Sequence, residues 1–409
     1  YSLAHVTERQ MVHLGDMKKQ VLIVGAGPAG LFLSHLLHIY GIENLVVEHQ
    51  SREYCENRQR AGILEQGTFD VLNMTGLGKR LTAKAIPHGG IDIASGGTLH
   101  NINVEDLTGG RRVYAYAQTE IVKDLFNHHE TNGTLPLTGQ EVVRVDEPKG
   151  ASVMVTISDD QHNEKTIGCE FVAFCDGFRG AGRRQFEDAK VDSWSYEFPS
   201  SWLGILAEAR PMNEVVIYAR HDDGFALQSM RSNTVSRLYL EIGNDEQLED
   251  WHDERIWDEL DKRIGLPQNR GKITDKGKTP LRSYLSSQMR LGRCFLVGDS
   301  AHIVPPTGAK GLNLAIADAV CLGSCLNEFY NRGSELGLKD YSELAGKRVG
   351  QTARFSWWCT RLLHSQLGCD RFEQRMLKAE LEHFLKSPGL QHHFADNYSG
   401  LPFSRALEI

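Results

Sequence analysis

The chain has 409 residues, 41% of them hydrophobic, and a formal net charge of −8, which allows a sizeable core and two or three domains. The negative balance argues against a nucleic-acid surface, so any anionic ligand has to be met by individually placed arginines. Eight scattered cysteines show no zinc-ligand spacing and fit reduced thiols, and no apolar run reaches the roughly 18 residues of a membrane span. A cytoplasmic protein with no nucleic-acid or membrane partner and no metal is therefore expected.

In chain order, residues 1–16 read as a flexible extension, with Met17 a natural start. QVLIVG (20–25) is a continuous apolar run of buried-strand type. PAGLFLSHLLHIYG reads as a helix stopped by Gly41, and NLVVE (44–48) as a second strand, which together make a βαβ opening. Between strand and helix, Gly25, Gly27 and Gly30 spell G-x-G-x-x-G. Such glycines allow a tight turn and close approach of a pyrophosphate to the helix N-terminus, and Glu48 at the end of the second strand can accept from ribose hydroxyls. An adenine dinucleotide is expected here, with FAD and NAD both open.

Two later segments separate these cofactors. FVAFCDG (171–177) and CFLVGD (294–299) are strand-like runs ending in Asp176 and Asp299. A plain NAD dehydrogenase has little use for them, whereas a long flavin cofactor can use further carboxylates and a second helix N-terminus. The stretch from about 193 to 290 alternates strand-like runs such as VVIYAR and RLYLEIG with polar turns, which predicts a more antiparallel sheet. From Leu312 onward the pattern is mainly helical, through about Lys386.

GDSAHIVPPTGAKGLNLAIAD (298–318) admits two readings. Asp299, Ser300 and His302 contain the residue types of a hydrolase. Ser300 lacks the G-x-S-x-G elbow, however, and a histidine two residues on is badly placed as its base. The cofactor-loop reading is preferred: Asp299 faces ribityl hydroxyls, Pro305 and Pro306 stiffen the loop, and the Leu312 and Asn313 amides at a helix start meet the flavin pyrimidine. The expected architecture is α/β. A Rossmann-like FAD-binding domain (17–192) is followed by an inserted mixed or antiparallel substrate sheet (193–290), then by a cofactor-completing loop and helical C-terminal region (291–409).

GAGPAGL with Glu48, CDG at 175–177 and GDSAH…PPTGAKGLN together resemble the single-component flavin-dependent aromatic hydroxylases. RAGILEQG (60–67), YAQTE (116–120), GFALQSMRS (224–232), TPLRS (279–283), RFSWW (354–358) and DNYSGLP (396–402) extend the resemblance, in order, to the members acting on 4-hydroxybenzoate. It runs from about Met17 to Phe403. The resemblance implies FAD, with NADPH or NADH as co-substrate, O₂, a flavin C4a-hydroperoxide, hydroxylation of 4-hydroxybenzoate at C3 to protocatechuate, and a homodimer built through the C-terminal helices. Still open are a sister hydroxylase of another para-substituted benzoate, such as 4-aminobenzoate or a dihydroxybenzoate, and an FAD-dependent dehydrogenase or reductase.

By resemblance, Arg231 pairs with the substrate carboxylate, a role that a guanidinium fork suits, and Ser229 and Tyr239 assist it. Tyr218 contacts the substrate hydroxyl, Tyr398 and His88 carry its proton outward, and the Pro306 carbonyl lies beside the reacting atoms. Arg237 and Gln118 set where the flavin rests, and Arg58 and Arg60 serve the FAD phosphates or the reductant. The reductant, with no second G-x-G-x-x-G to hold it, is expected on the surface near His49, Gln50, Tyr54, Arg179, Arg183 and Arg282. His49 stands where NADPH-specific relatives carry arginine, and Arg179 where histidine is usual, so use of NADH becomes credible.

Overall fold

The protein is described from a computed structural model covering residues 18–58, 62–364 and 369–407. The expected extension at 1–16 and Arg60 lie outside the described residues. Strand β1 (Lys18–Val24) leads into helix α1 (Pro28–Ile39) and strand β2 (Asn44–Glu48). Pro28 opens α1, where its missing N–H costs nothing, and nine of the helix's twelve residues are buried. Helix α2 (Gln118–Thr131) packs against α1. Strand β3 (Glu164–Phe174) returns parallel to β1 on the side opposite β2 and is followed by helix α3 (Ala181–Asp188).

The chain then enters four long antiparallel strands, β4 (Ser193–Glu208), β5 (Val216–His221), β6 (Gly224–Met230) and β7 (Ser236–Gly243), which are joined by β8 (Lys272–Ser286). Strand β9 (Cys294–Leu296) goes back to the first sheet, parallel to β3. The C-terminal part comprises helices α4 (Gly311–Arg332), α5 (Leu336–Leu363), α6 (Arg371–Phe384) and α7 (Pro388–Ser399).

The second sheet is not confined to the stretch 193–290 expected to supply it. Ile91–Ser95 pairs parallel with β5, Thr98–Ile102 lies outside it, and His302–Ile303 pairs with the far edge of β8. Parallel pairing of segments so far apart leaves no local turn signal. A second correction concerns α4: its 22 residues are long and apolar enough to cross a membrane by length and composition, contrary to expectation, but 78% of that window is buried inside the protein. Its apolarity is spent on packing against α1 and α5.

Side-chain alternation gives the second sheet two different faces. Leu203, Ile205, Ile217, Ala219, Ala226, Leu238 and Leu240 form one apolar cluster on one side. On the other, cross-strand partners align Gly204, Tyr239, Leu227 and Tyr218 in a row, with Arg237 and Ser229 paired in the next. That second face meets α5 and α7 in an aromatic cluster containing Trp202, Tyr218, Phe225, Phe355, Phe394 and Tyr398.

Candidate active site

The glycine turn sits where β1 meets α1. Gly25 has φ +104°, and a Cβ there would lie 2.5 Å from the Cys175 carbonyl oxygen; one on Gly30 would lie 2.0 Å from the Gly25 oxygen. Both glycines are demanded by backbone approach. Gly27 differs, because nothing lies within 4 Å of a Cβ built on it, so it borders open space at the N-terminus of α1. The first intrahelical amide bond is Leu31 N to Gly27 O at 3.0 Å, which leaves earlier amides available to an anion. Glu48 is buried beside them. Its Oε2 accepts from Ala26 N at 2.7 Å and its Oε1 from Gln50 N at 2.8 Å, which fixes the carboxylate while Oε2 keeps a lone pair for a ribose hydroxyl.

Asp299 is exposed just past β9. Leu314 is the first residue of α4 whose amide finds an intrahelical acceptor, Lys310 O at 2.9 Å, so the Leu312 and Asn313 amides remain open to a ligand. The Asn313 side chain is occupied structurally: Nδ2 donates to Ile63 O and Ala309 O, and Oδ1 accepts from Glu65 N, each at 2.9 Å. Asp176 uses Oδ2 to accept from Gly182 N at 3.0 Å at the start of α3, while Oδ1 is buried without a partner. Burial raises its pKa to about 6. Open amides, a fixed carboxylate and a free one at the ends of parallel strands fit an FAD.

Ser300 is buried, with its Oγ donating toward Phe174 O at 2.7 Å and Val297 O at 3.0 Å. His302 Nε2 instead meets Asp318 Oδ2 at 2.6 Å. Burial alone would lower the pKa of His302, but Asp318 holds it above the ordinary value. The serine therefore has no base, and the hydrolase reading fails on geometry.

In the turn just past β6, the Arg231 Nη2 reaches Thr119 Oγ1 at 3.4 Å, beside Gln118 at the start of α2. Burial, then the neighbouring Arg237, lowers the Arg231 pKa. Arg237 Nε donates to Tyr239 Oη at 3.1 Å, and no ion pair to Arg237 is found among the described residues. Ser229 Oγ donates to Arg237 O at 3.0 Å. Gly204 makes room for this group, since a Cβ there would lie 3.2 Å from the Tyr239 ring.

Tyr218 Oη donates to Thr307 O at 2.9 Å, and its ring stands edge-on to Tyr398 at 6.4 Å. Tyr398 Oη and both ring nitrogens of His88 are buried without a hydrogen bond of normal geometry. Burial pushes the Tyr398 pKa up to about 12, with Tyr218 opposing, and raises that of Tyr218 well above its ordinary value. Burial lowers the pKa of His88, with the Glu214 backbone opposing. The Pro306 carbonyl accepts from Ala309 N at 2.8 Å, closing a tight turn in which Ala309 adopts φ 55°.

The reductant-side residues divide in two. Arg183 and Arg282 stack on Phe178 at 3.8 and 4.1 Å, and Arg183 also covers Tyr284 at 4.0 Å; Arg179 is exposed close by in sequence. His49, with Nδ1 2.9 Å from Glu48 Oε1, exposed Tyr54 and Gln50 lie instead around the end of β2, as does exposed Arg58 after a short helix.

The sequence reading missed a buried ion cluster under the site. Lys310 Nζ donates to Glu65 Oε1 at 2.8 Å and to Tyr398 O at 2.9 Å, and Arg348 Nη2 meets Glu65 Oε2 at 2.9 Å. All three residues are buried. The available signal was a lysine between glycines within PPTGAKGLN.

A glycine cradle on parallel strands, with a group of arginines and tyrosines at one face of the second sheet, defines an FAD-dependent oxidoreductase. Residues 18–356 match the family model described as FAD binding domain. The chain is 41% identical over 392 residues to p-hydroxybenzoate hydroxylase of Acinetobacter baylyi, covering 95% of this chain and 96% of that protein. It is 28% identical to a Burkholderia 4-methyl-5-nitrocatechol 5-monooxygenase, over 82% of this chain and 65% of that one. The crystal structure of p-nitrophenol 4-monooxygenase from Pseudomonas putida superposes with a TM-score of 0.80 at 18% identity, covering 94% and 99% of the two chains, and so shares the fold. The chain belongs to the FAD-dependent aromatic monooxygenases, the family of p-hydroxybenzoate hydroxylase.

Proposed function

We propose that the protein hydroxylates 4-hydroxybenzoate at C3 to give protocatechuate, consuming NADH or NADPH and O₂. The observation that carries this reading is a single sheet face presenting Ser229, Tyr239 and Tyr218, which itself packs against Tyr398, with Arg231 in the turn just past β6 and close enough to Arg237 and Tyr239 to feel their charge. A carboxylate held by Arg231 gains a charge-assisted, fork-shaped partner in a site where burial already disfavours unpaired charge. The phenol end of the ring then meets Tyr218.

Bound FAD supplies the redox and oxygen-activating chemistry. Gly25, Gly27 and Gly30 with the start of α1 would hold its pyrophosphate, Glu48 its ribose, Asp299 its ribityl chain and the Leu312 and Asn313 amides its ring. The protein's own task is to move a phenolic proton. Both tyrosines are held protonated by burial, so they pass a proton on and do not store charge. Before substrate arrives, the Tyr218 proton is engaged by Thr307 O, and Tyr398 and His88 have unused hydrogen-bonding capacity. Substrate or water that joins these groups completes the path.

The test is a panel of para-substituted benzoates scored for hydroxylated product and O₂ uptake. Stoichiometric protocatechuate from 4-hydroxybenzoate is expected. Product from 4-aminobenzoate alone would transfer the assignment to a sister hydroxylase, and substrate turnover without O₂ uptake would point to a dehydrogenase. The assembly proposed is a homodimer through the C-terminal helices, where Phe372 and Met376 are exposed on α6; light scattering of the holoenzyme tests it.

A further inference from the structure

We infer that His364 is a positioning residue for the substrate chamber, acting through the Trp202 indole; the inference rests on the substrate reading above. His364 caps the C-terminal end of α5 and is buried, as are Trp202 and Phe225. Trp202 Nε1 lies 2.7 Å from His364 Nε2, and His364 Nδ1 lies 2.9 Å from Thr360 O. An indole N–H only donates and a carbonyl only accepts, so the tautomer is determined: Nε2 accepts from Trp202 and Nδ1–H donates to Thr360.

This bond makes one flat plate of two rings. The Trp202 and His364 planes differ by 7°, and both stack on Phe225, at 5.3 and 4.4 Å. Trp202 then lies 4.6 Å from the Tyr239 ring, and Phe225 lies 5.9 Å from Tyr218. The plate therefore backs the tyrosine of the carboxylate group and the tyrosine of the phenol group at once. Trp202 is also the cross-strand partner of Glu241, in the row next to Gly204 and Tyr239, so a rotated indole would enter the space that Gly204 leaves for Tyr239 and Arg237.

The histidine must stay neutral for this, because a second N–H would face the indole donor. Burial favours the neutral ring, with Arg220 of β5 acting in the same direction and Glu241 of β7 opposing. Arg220 also anchors the helix end, donating to Leu362 O at 2.7 Å.

Three variants of the holoenzyme test the inference. His364→Phe keeps a stacked ring but leaves the Trp202 N–H buried without an acceptor. Kd for 4-hydroxybenzoate, read from flavin absorbance, is expected to rise about tenfold with FAD content unchanged. His364→Gln offers an amide oxygen to the indole and is expected to stay within about threefold of wild type. In a Trp202→Phe background, His364→Phe is expected to add no further loss, because the partner it acts through is gone.

Wild-type Kd in His364→Phe, or a full tenfold loss in the Trp202→Phe background, overturns the inference. If His364→Phe does not fold, Trp202→Phe alone decides, and wild-type substrate binding there is equally fatal. Tryptophan emission separates this outcome from a wrong substrate. If wild type binds no benzoate, the substrate reading fails, while a blue shift in His364→Phe that is absent in His364→Gln still establishes the His364–Trp202 bond. An unchanged spectrum in both variants removes it.

Discussion

The two halves of the site are built on opposite principles. The cofactor half is made of backbone: Gly25 and Gly30 are held against Cys175 O and Gly25 O, and Glu48 is fixed by two amides. The substrate half is made of side chains, and Tyr398 Oη and both His88 nitrogens are buried without a hydrogen bond of normal geometry. A buried polar group without a partner costs about 1–3 kcal/mol, so the second half sets aside stability for groups that a ligand must satisfy. The backbone of the cradle is set before its ligand binds, with Asp176 Oδ1 left buried and unpartnered, whereas the substrate half leaves several side-chain atoms for a ligand to satisfy.

The sharpest way to break this contrast is to attack the cradle. Gly30→Ala places a methyl 2.0 Å from a backbone oxygen that cannot move independently. A loss above about 3 kcal/mol is expected, visible as a fall in melting temperature together with loss of FAD. Retention of both would mean that the turn is far softer than its packing implies. In the chamber, by contrast, Arg231→Ala should leave FAD bound and the fold intact while weakening 4-hydroxybenzoate binding by about 3 kcal/mol, over a hundredfold in Kd. Equilibrium titration measures it, and unchanged affinity would remove Arg231 from the carboxylate role. Tyr218→Phe should bind substrate but hydroxylate roughly a hundredfold more slowly, releasing H₂O₂ in place of product. Product-to-NAD(P)H ratios decide that point.

Acid should weaken the cofactor half through a histidine cluster of its own, and the buried His88 and His364 of the substrate half act in the same direction. His35 of α1 packs edge-on to His128 of α2 at 4.3 Å, with His129 and His38 nearby. Burial lowers the pKa of His35 to about 4 and also depresses His128 and His129. A depressed histidine favours the folded state while neutral, so its contribution is present above the unfolded value of 6.5 and is lost as pH falls toward 4. For His35 alone the loss by pH 5 is roughly 2 kcal/mol. Denaturant midpoints at pH 7 and 5 test it, and His35→Gln should flatten the difference.

How much was legible in the sequence follows the same division. The β1–α1–β2 unit could be read because its strand runs, Pro28 and the Gly25–Gly27–Gly30 spacing are local signals. Asp299 and the start of α4 followed from one continuous stretch. The chamber was legible chiefly through resemblance, because its logic is cross-strand: Tyr218, Leu227, Tyr239 and Gly204 align only once three strand pairings are known. Lys310 was missed for the same reason, since its partner Glu65 is 245 residues away. The pairing of Ile91–Ser95 with β5 was equally hidden.

The smallest expected effect concerns the rim of the cradle, where reductant choice is proposed to lie. His49 is well exposed and leans toward Glu48, with Nδ1 2.9 Å from Oε1. Arg52, three residues along the chain, is already engaged: its guanidinium meets Glu56 at 2.6 Å, Glu130 at 3.0 Å and Asn127 at 2.8 Å. It therefore has little charge to offer a 2′-phosphate. His49→Arg introduces a permanent cation with paired donors at a position that lacks one. Exposure and salt screening limit the gain to roughly 1 kcal/mol, about fivefold in the NADPH to NADH ratio of kcat/KM. The new arginine also has Glu48 as a competing partner, which lowers the gain, and screening of the phosphate attraction should shrink the shift at high salt. Steady-state kinetics with each nucleotide at two ionic strengths makes the measurement. A ratio that does not move places reductant selection elsewhere, with the Arg183, Arg282 and Phe178 stack the next group to substitute.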